Sequence, residues 1–160
     1  MKKCLFLLTC LILSFSCHAA QLPAFDTVKK NLEAYGLLKA SEWKFIGDTK
    51  KNTHVAIVDG NQYWANNRAI AAVFKLTGNE KVLEKKLMDT AVLCVQFSKS
   101  VIENLTEEQG KELLATMAAA TRVEGRQVST SVNSFRYYTS IDKGTSDIVF
   151  TCGISQGDFS

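Results

Sequence analysis

Histidine and cysteine are scarce in this chain, and their scarcity removes most catalytic and metal chemistry at the outset. Of 160 residues, 2 are His and 5 are Cys. His18, Cys4, Cys10 and Cys17 all lie in an N-terminal stretch that reads as a leader, so the processed chain keeps His54, Cys94 and Cys152. One histidine is too few for a zinc centre, and no H-E-x-x-H or comparable ligand cluster is present. A Ser-His-Asp or Cys-His relay would have to run through His54, and no G-x-S-x-G elbow accompanies it. His54 therefore reads as a solvent-facing or hydrogen-bonded strand histidine. Phosphate-cradling Gly-rich loops and dinucleotide fingerprints are missing as well. Asp59-x-Asn61 matches the opening of a calcium loop, but Trp64 and Ile70 stand where that loop needs Gly and Glu. No metal and no cofactor are expected.

An excess of one charge is also lacking. The chain holds 19 basic and 16 acidic residues, and without the leader's Lys2 and Lys3 the balance is 17 to 16. A near-neutral domain has no electrostatic footprint for nucleic acid or an anionic membrane, so neither is expected as a partner. The doublets Lys29-Lys30, Lys50-Lys51 and Lys85-Lys86 read as solvated faces. Proline occurs once, as Pro23. Neither a low-complexity linker nor an internal repeat divides the chain, and residues 21–154 are expected to form a single domain.

What is present starts at the N-terminus. Lys2 and Lys3 precede an apolar run from Leu5 to Phe15, and Cys17-His18-Ala19-Ala20 supplies small residues at a cleavage point. That layout predicts a secretory signal peptide over residues 1–20, too short to span a bilayer as a helix. The expected location is the periplasm or the exterior. Ser14-Phe15-Ser16 fits a lipoprotein signal poorly, so no stable membrane anchor is expected unless Cys17 is lipidated. In an oxidising compartment Cys94 and Cys152 are expected to form one disulfide, closing a loop of 58 residues.

Periodicity organises the rest. Phe25, Val28, Leu32 and Tyr35 predict a first helix ended by Gly36. Trp43, Phe45 and Ile46, a polar turn from Asp48 to Asn52, and Val55 to Val58 predict a hairpin, ended by Asp59-Gly60-Asn61. Asn66 or Asn67 then predicts the cap of a helix carrying Ile70, Val73, Phe74 and Leu76, closed by Gly78. Asn79 caps a longer helix reaching about Asn104, with Cys94 on its apolar stripe. Thr106-Glu107-Glu108-Gln109 has capping-box spacing for a further helix through Met117. Val128, Thr130 and Val132 alternate as a half-buried strand, and the apolar parity then jumps to Phe135 and Tyr137. That slip predicts a bulge or bend near Asn133-Ser134. After the Lys143-Gly144 turn, Ile148, Phe150, Cys152 and Ile154 share one strand face. Residues 155–160 read as a polar tail. The expected class is α+β: a small antiparallel sheet of N-terminal and C-terminal hairpins, packed on two or three central helices.

No carboxylate stands out as catalytic. Glu107 and Glu108 suit a helix first turn, Asp142 and Asp147 flank a turn, and Glu103, Glu112 and Glu124 read as exposed helix positions. The residue types that favour protein interfaces are better placed. Tyr63, Trp64 and Arg68 follow a turn, and Arg136 and Tyr138 share a parity opposite to Phe135 and Tyr137. These five are the candidate partner-binding residues. The bland alternative is that Trp64 and Tyr137 fill the core. The function expected is that of a small exported, non-enzymatic binding protein, an inhibitor or immunity-type protein that occludes a toxin, hydrolase or envelope component. The alternatives are an envelope assembly accessory and a carboxylate-dependent cell-wall hydrolase.

Overall fold

A computed structural model describes residues 20–47, 52–145 and 147–157. The expected leader with Cys17, residues 48–51 of the expected polar turn, residue 146 and residues 158–160 lie outside the described residues. Within them the chain forms three α-helices and one antiparallel sheet of seven strands. The sheet is larger than the pair of hairpins expected from the sequence, and that part of the expectation is corrected here.

The helices begin and end where local chemistry places them. Helix α1, Phe25–Ala34, buries Val28 and Leu32 and has Pro23 just before it. Gly36 at φ 68° lets its N–H reach Glu33 O, while Leu37 N reaches Leu32 O, a Schellman stop. Helix α2, Glu80–Val101, is capped by Asn79, whose Oδ1 accepts from Val82 N at 3.1 Å. Helix α3, Glu107–Ala120, carries the reciprocal capping box, with Gln109 N donating to Thr106 Oγ1 and Thr106 N donating to Gln109 Oε1. A single 3₁₀ turn, Ala40–Glu42, follows α1.

The strands are β1 (Lys44–Phe45), β2 (His54–Val58), β3 (Asn61–Ala65), β4 (Ala69–Thr77), β5 (Val128–Val132), β6 (Phe135–Lys143) and β7 (Asp147–Gln156). Their spatial order is β1-β2-β3-β4-β7-β6-β5. The main correction is β4, which the sequence reading made a helix. Its buried residues are Ile70, Ala72, Phe74 and Leu76, a period of two rather than 3.6. Asn66 does act as a cap, but of a hairpin: its Oδ1 accepts from Arg68 N at 2.8 Å and Ala69 N at 2.9 Å, and its N–H donates to Ala69 O. A short polar side chain competing for nearby backbone N–H groups serves a turn as readily as a helix start.

A second correction concerns Asn133 and Ser134. Both have positive φ, 50° and 65°, and they form a two-residue hairpin turn between β5 and β6. This is the turn geometry whose twist matches paired strands, so the parity jump is a change of strand and not a bulge. At the other end, Ser155 and Gln156 continue β7 beyond the point where a tail was expected, pairing with Arg136 and Phe135.

All three helices lie on one face of the sheet. The core between the layers holds Val28, Leu32, Cys94, Phe97, Val101, Leu113 and Met117 from the helices, and Phe74, Tyr137, Ile141, Phe150 and Ile154 from the strands. Cys94 and Cys152 are disulfide-bonded, both fully buried, and join the middle of α2 to a central strand. Both sequence periodicities had pointed these cysteines inward. Among the described residues, no helix is long and apolar enough to cross a membrane.

Candidate functional site: the uncovered sheet face

Alternation along each strand sends one set of side chains into the core and the other onto a face that no helix covers among the described residues. The cross-strand register defines that outer face. One row runs Val55, Trp64, Ala71, Gly153, Tyr138, Ser129 across six strands. Its two aromatics are separated only by Ala71 and Gly153. Trp64 is 39% exposed, unusual for a large aromatic on a sheet. The Tyr138 ring lies over Gly153, so close that a Cβ there would collide with the phenol. Gly153 thus gives the ring its resting place. Burial raises the Tyr138 pKa above 10.0, partly opposed by the nearby Arg136 charge.

The adjacent row runs Arg136, Ser155, Ala69. Arg68 stands next to Ala69 in the β3–β4 turn, and Gln156 N donates to Arg68 O at 3.1 Å. Arg68 and Arg136 line one open pocket of about 340 Å³ together with Ser155 and Gln156. Four of the five partner-binding candidates, Trp64, Arg68, Arg136 and Tyr138, therefore come together from two separate stretches of the chain. Tyr63 does not. It points to the helix side at 5% exposure, packs edge-on against Phe74, and has its pKa raised by burial and then by Asp59 and Glu42. Ser155 and Gly153 were missed as members of this face, and alternation on either side of the inward Ile154 was the available signal for both. Gln156 has the opposite parity and reaches the pocket only at the end of β7, where it also lines the helix-side cavity.

His54 sits elsewhere, half-buried on the helix side. Its ring stacks on Phe25 at 3.9 Å, and its Nδ1 lies 3.0 Å from Asn52 O. It borders a cavity of about 210 Å³ lined by Leu22, Phe25, Asn66, Asn67, Ile70 and Gln156 among others, with no acidic side chain in the lining. The candidate carboxylates are dispersed. Glu107 and Glu108 both approach Lys111, Asp147 pairs with Lys75 at 2.8 Å, Glu124 with Lys143 at 3.7 Å, and Glu112 accepts from Thr130. The bond to Asp147 also raises the Lys75 pKa. Among the described residues, no group of His, Cys, Asp and Glu is arranged to hold a metal ion.

No family model matches this chain, and no curated protein or solved structure is significantly similar to it. Its function must be read from its own residues.

Proposed function

We propose that this chain is an exported, non-enzymatic binding protein that occludes a site on another protein with the uncovered face of its sheet. The observation that carries the reading is the convergence of Trp64, Tyr138, Arg68 and Arg136 on that face. Trp, Tyr and Arg are the residue types that dominate interface energetics, because each combines a large apolar area with a directional polar group. The seven-stranded sheet, backed by three helices and a disulfide, presents them on a rigid base, so little ordering entropy is lost on docking. Export through the leader supplies the oxidising compartment that the disulfide needs.

The test is capture of a partner from periplasmic extract by the tagged protein, in parallel with Arg136→Ala/Tyr138→Ala. Loss of two such anchors is expected to weaken binding by about 2 kcal/mol or more, roughly thirtyfold. The fold should persist, because Arg136 is exposed and Tyr138 lies outside the core. A stoichiometric partner retained equally by the double variant would remove this face from the interaction. A second reading has one observation in its favour: β5 is an uncharged strand of five residues at one edge of the sheet, and among the described residues no strand pairs with its outer side, where an added strand could dock. An envelope assembly accessory would use that edge instead, and Arg136→Ala/Tyr138→Ala would leave its binding intact.

A further inference from the structure

The outer face is not electrically uniform along its strands. Among the described residues its carboxylates gather at one end, where Asp147 is bonded to Lys75 and Asp142 lies on β6 beside Ser140. Its arginines stand at the other end. Asp142 is six residues along β6 from Arg136, and Asp147 is eight along β7 from Ser155. At ~3.4 Å per residue these separations are about 20 and 27 Å. Both exceed the ~8 Å Debye length at physiological salt, so neither acid neutralises the arginine end.

The arginine end is also shaped. Arg136 and Ala69 flank Ser155 across two strand spacings, about 10 Å, and Arg68 and Arg136 both line the pocket over that gap. The backbone that carries Arg68 is held at both its N–H and its carbonyl, by Asn66 Oδ1 at 2.8 Å and Gln156 N at 3.1 Å. Gln156 is in turn anchored through its side chain on Asn67 O. The ion pairs of the described residues are all made by lysines, so neither arginine is engaged in one. What separates Arg68 and Arg136 from the other unpaired arginines is that they wall a single pocket. Two guanidinium groups sharing one pocket repel each other until an anion is placed between them. Planar guanidinium forks match a carboxylate with two parallel N–H donors, and the Ser155 hydroxyl adds a neutral donor between them.

We propose that the pocket formed by Arg68, Arg136 and Ser155 is a carboxylate-binding site, which takes an aspartate or glutamate side chain presented by the protein partner. The source of the carboxylate rests on the binding-protein reading above. The chemistry of the pocket does not. The partner surface that fits this corner is therefore acidic, with an apolar patch about two strand spacings from Ser155 to meet Trp64.

The test is an amide NMR titration of the purified protein with the blocked peptide acetyl-Gly-Glu-Glu-Gly-amide, its Gln-Gln counterpart, and inorganic phosphate. The Glu peptide is expected to shift the resonances of Ala69, Arg136, Ser155 and Gln156. The Gln peptide should leave them in place. In Arg68→Ala/Arg136→Ala the shifts should fall at least fivefold at unchanged Tm, and in Arg136→Lys they should fall less. Absence of shifts with the Glu peptide, equal shifts with the Gln peptide, or equal shifts in the double variant each overturn the site. So does saturation by phosphate without any response to the Glu peptide, which would make the pocket a phosphate site. The capture experiment separates this inference from the reading it rests on. A captured partner with a silent titration removes the carboxylate site alone. A positive titration with no captured partner keeps the site and removes the occlusion reading.

Discussion

Breaking the Cys94–Cys152 bridge should cost this protein more than any single surface change, and the amount follows from chain entropy. The bridge closes 58 residues. In the loop-closure model that restricts the unfolded chain by ~14 cal/mol/K, or ~4 kcal/mol at 25 °C. For the roughly 140 residues that follow the expected leader, unfolding entropy of ~2.1 cal/mol/K per residue gives ~0.3 kcal/mol per degree, so the expected fall in Tm is ~14 °C. Both cysteines are fully buried, so reductant must be added during an unfolding and refolding cycle. Mass spectrometry then verifies two free thiols, and calorimetry compares the oxidised and reduced protein. Cys94→Ala/Cys152→Ala should melt at or slightly below the reduced wild type, since it loses the same cross-link and two buried sulfur atoms as well. A reduced protein melting within ~3 °C of the oxidised form would refute the loop-entropy reasoning. It would leave the bridge as a local contact between α2 and β7.

Three further outcomes follow from individual residues. Tyr137 is fully buried and, among the described residues, its hydroxyl meets no partner at full hydrogen-bond geometry, the nearby Thr139 hydroxyl making only a weak contact with it; Tyr137→Phe should therefore raise stability by about 1 kcal/mol in denaturant unfolding, and a loss of that size would show Thr139 to be a full partner for the hydroxyl. Burial also lifts Tyr63, Tyr137 and Tyr138 above their ordinary value of 10.0. The unfolded chain then loses these protons first, so stability is complete below about pH 10 and falls above it, by up to ~1.4 kcal/mol per pH unit for each tyrosine, with one share absent in Tyr137→Phe. Ser134 at φ 65° occupies a turn position that favours glycine; Ser134→Gly should stabilise by about 0.5 kcal/mol, the relief of left-handed strain exceeding the added freedom of the unfolded chain, and a lower denaturation midpoint would contradict this. Gly153→Ala should lift the Tyr138 ring from its seat, bringing its phenolate titration down toward 10.0 while the fold persists; an unchanged titration would mean that the ring does not rest on Gly153.

The parts of the fold that were legible in the sequence are those whose signals are local and redundant. Helices α2 and α3 announce themselves through Asn79 and the Thr106–Gln109 box, and the inward set of β7 through four alternating apolar residues. Strand β4 was not legible because its signals conflict. Ile70, Val73, Phe74 and Leu76 satisfy a helical stripe, Ile70, Ala72, Phe74 and Leu76 satisfy a strand, and the alanines between them do not discriminate. What resolves the conflict is nonlocal: β4 pairs with β7 along nine residues, from Ala69 opposite Ser155 to Thr77 opposite Asp147. Without β4 the two hairpins remain separate, which is why the expected sheet was small.

The candidate site follows the same division. That Arg136 and Tyr138 face away from the core was readable from parity along one strand. That Arg68 and Trp64 join them was not, because it depends on how β3, β4 and β7 are aligned with one another. The alignment of β4 with β7 is tied to the core. Shifting β7 by one residue would turn Ile148, Phe150 and Ile154 toward solvent and carry Cys152 away from Cys94. The same shift would take Ser155 off the outer face, remove Gly153 from beneath Tyr138, and dissolve the pocket between the two arginines. The buried disulfide and the outer surface therefore select one register together, and a face assembled from distant parts of the chain is as well defined as the core behind it.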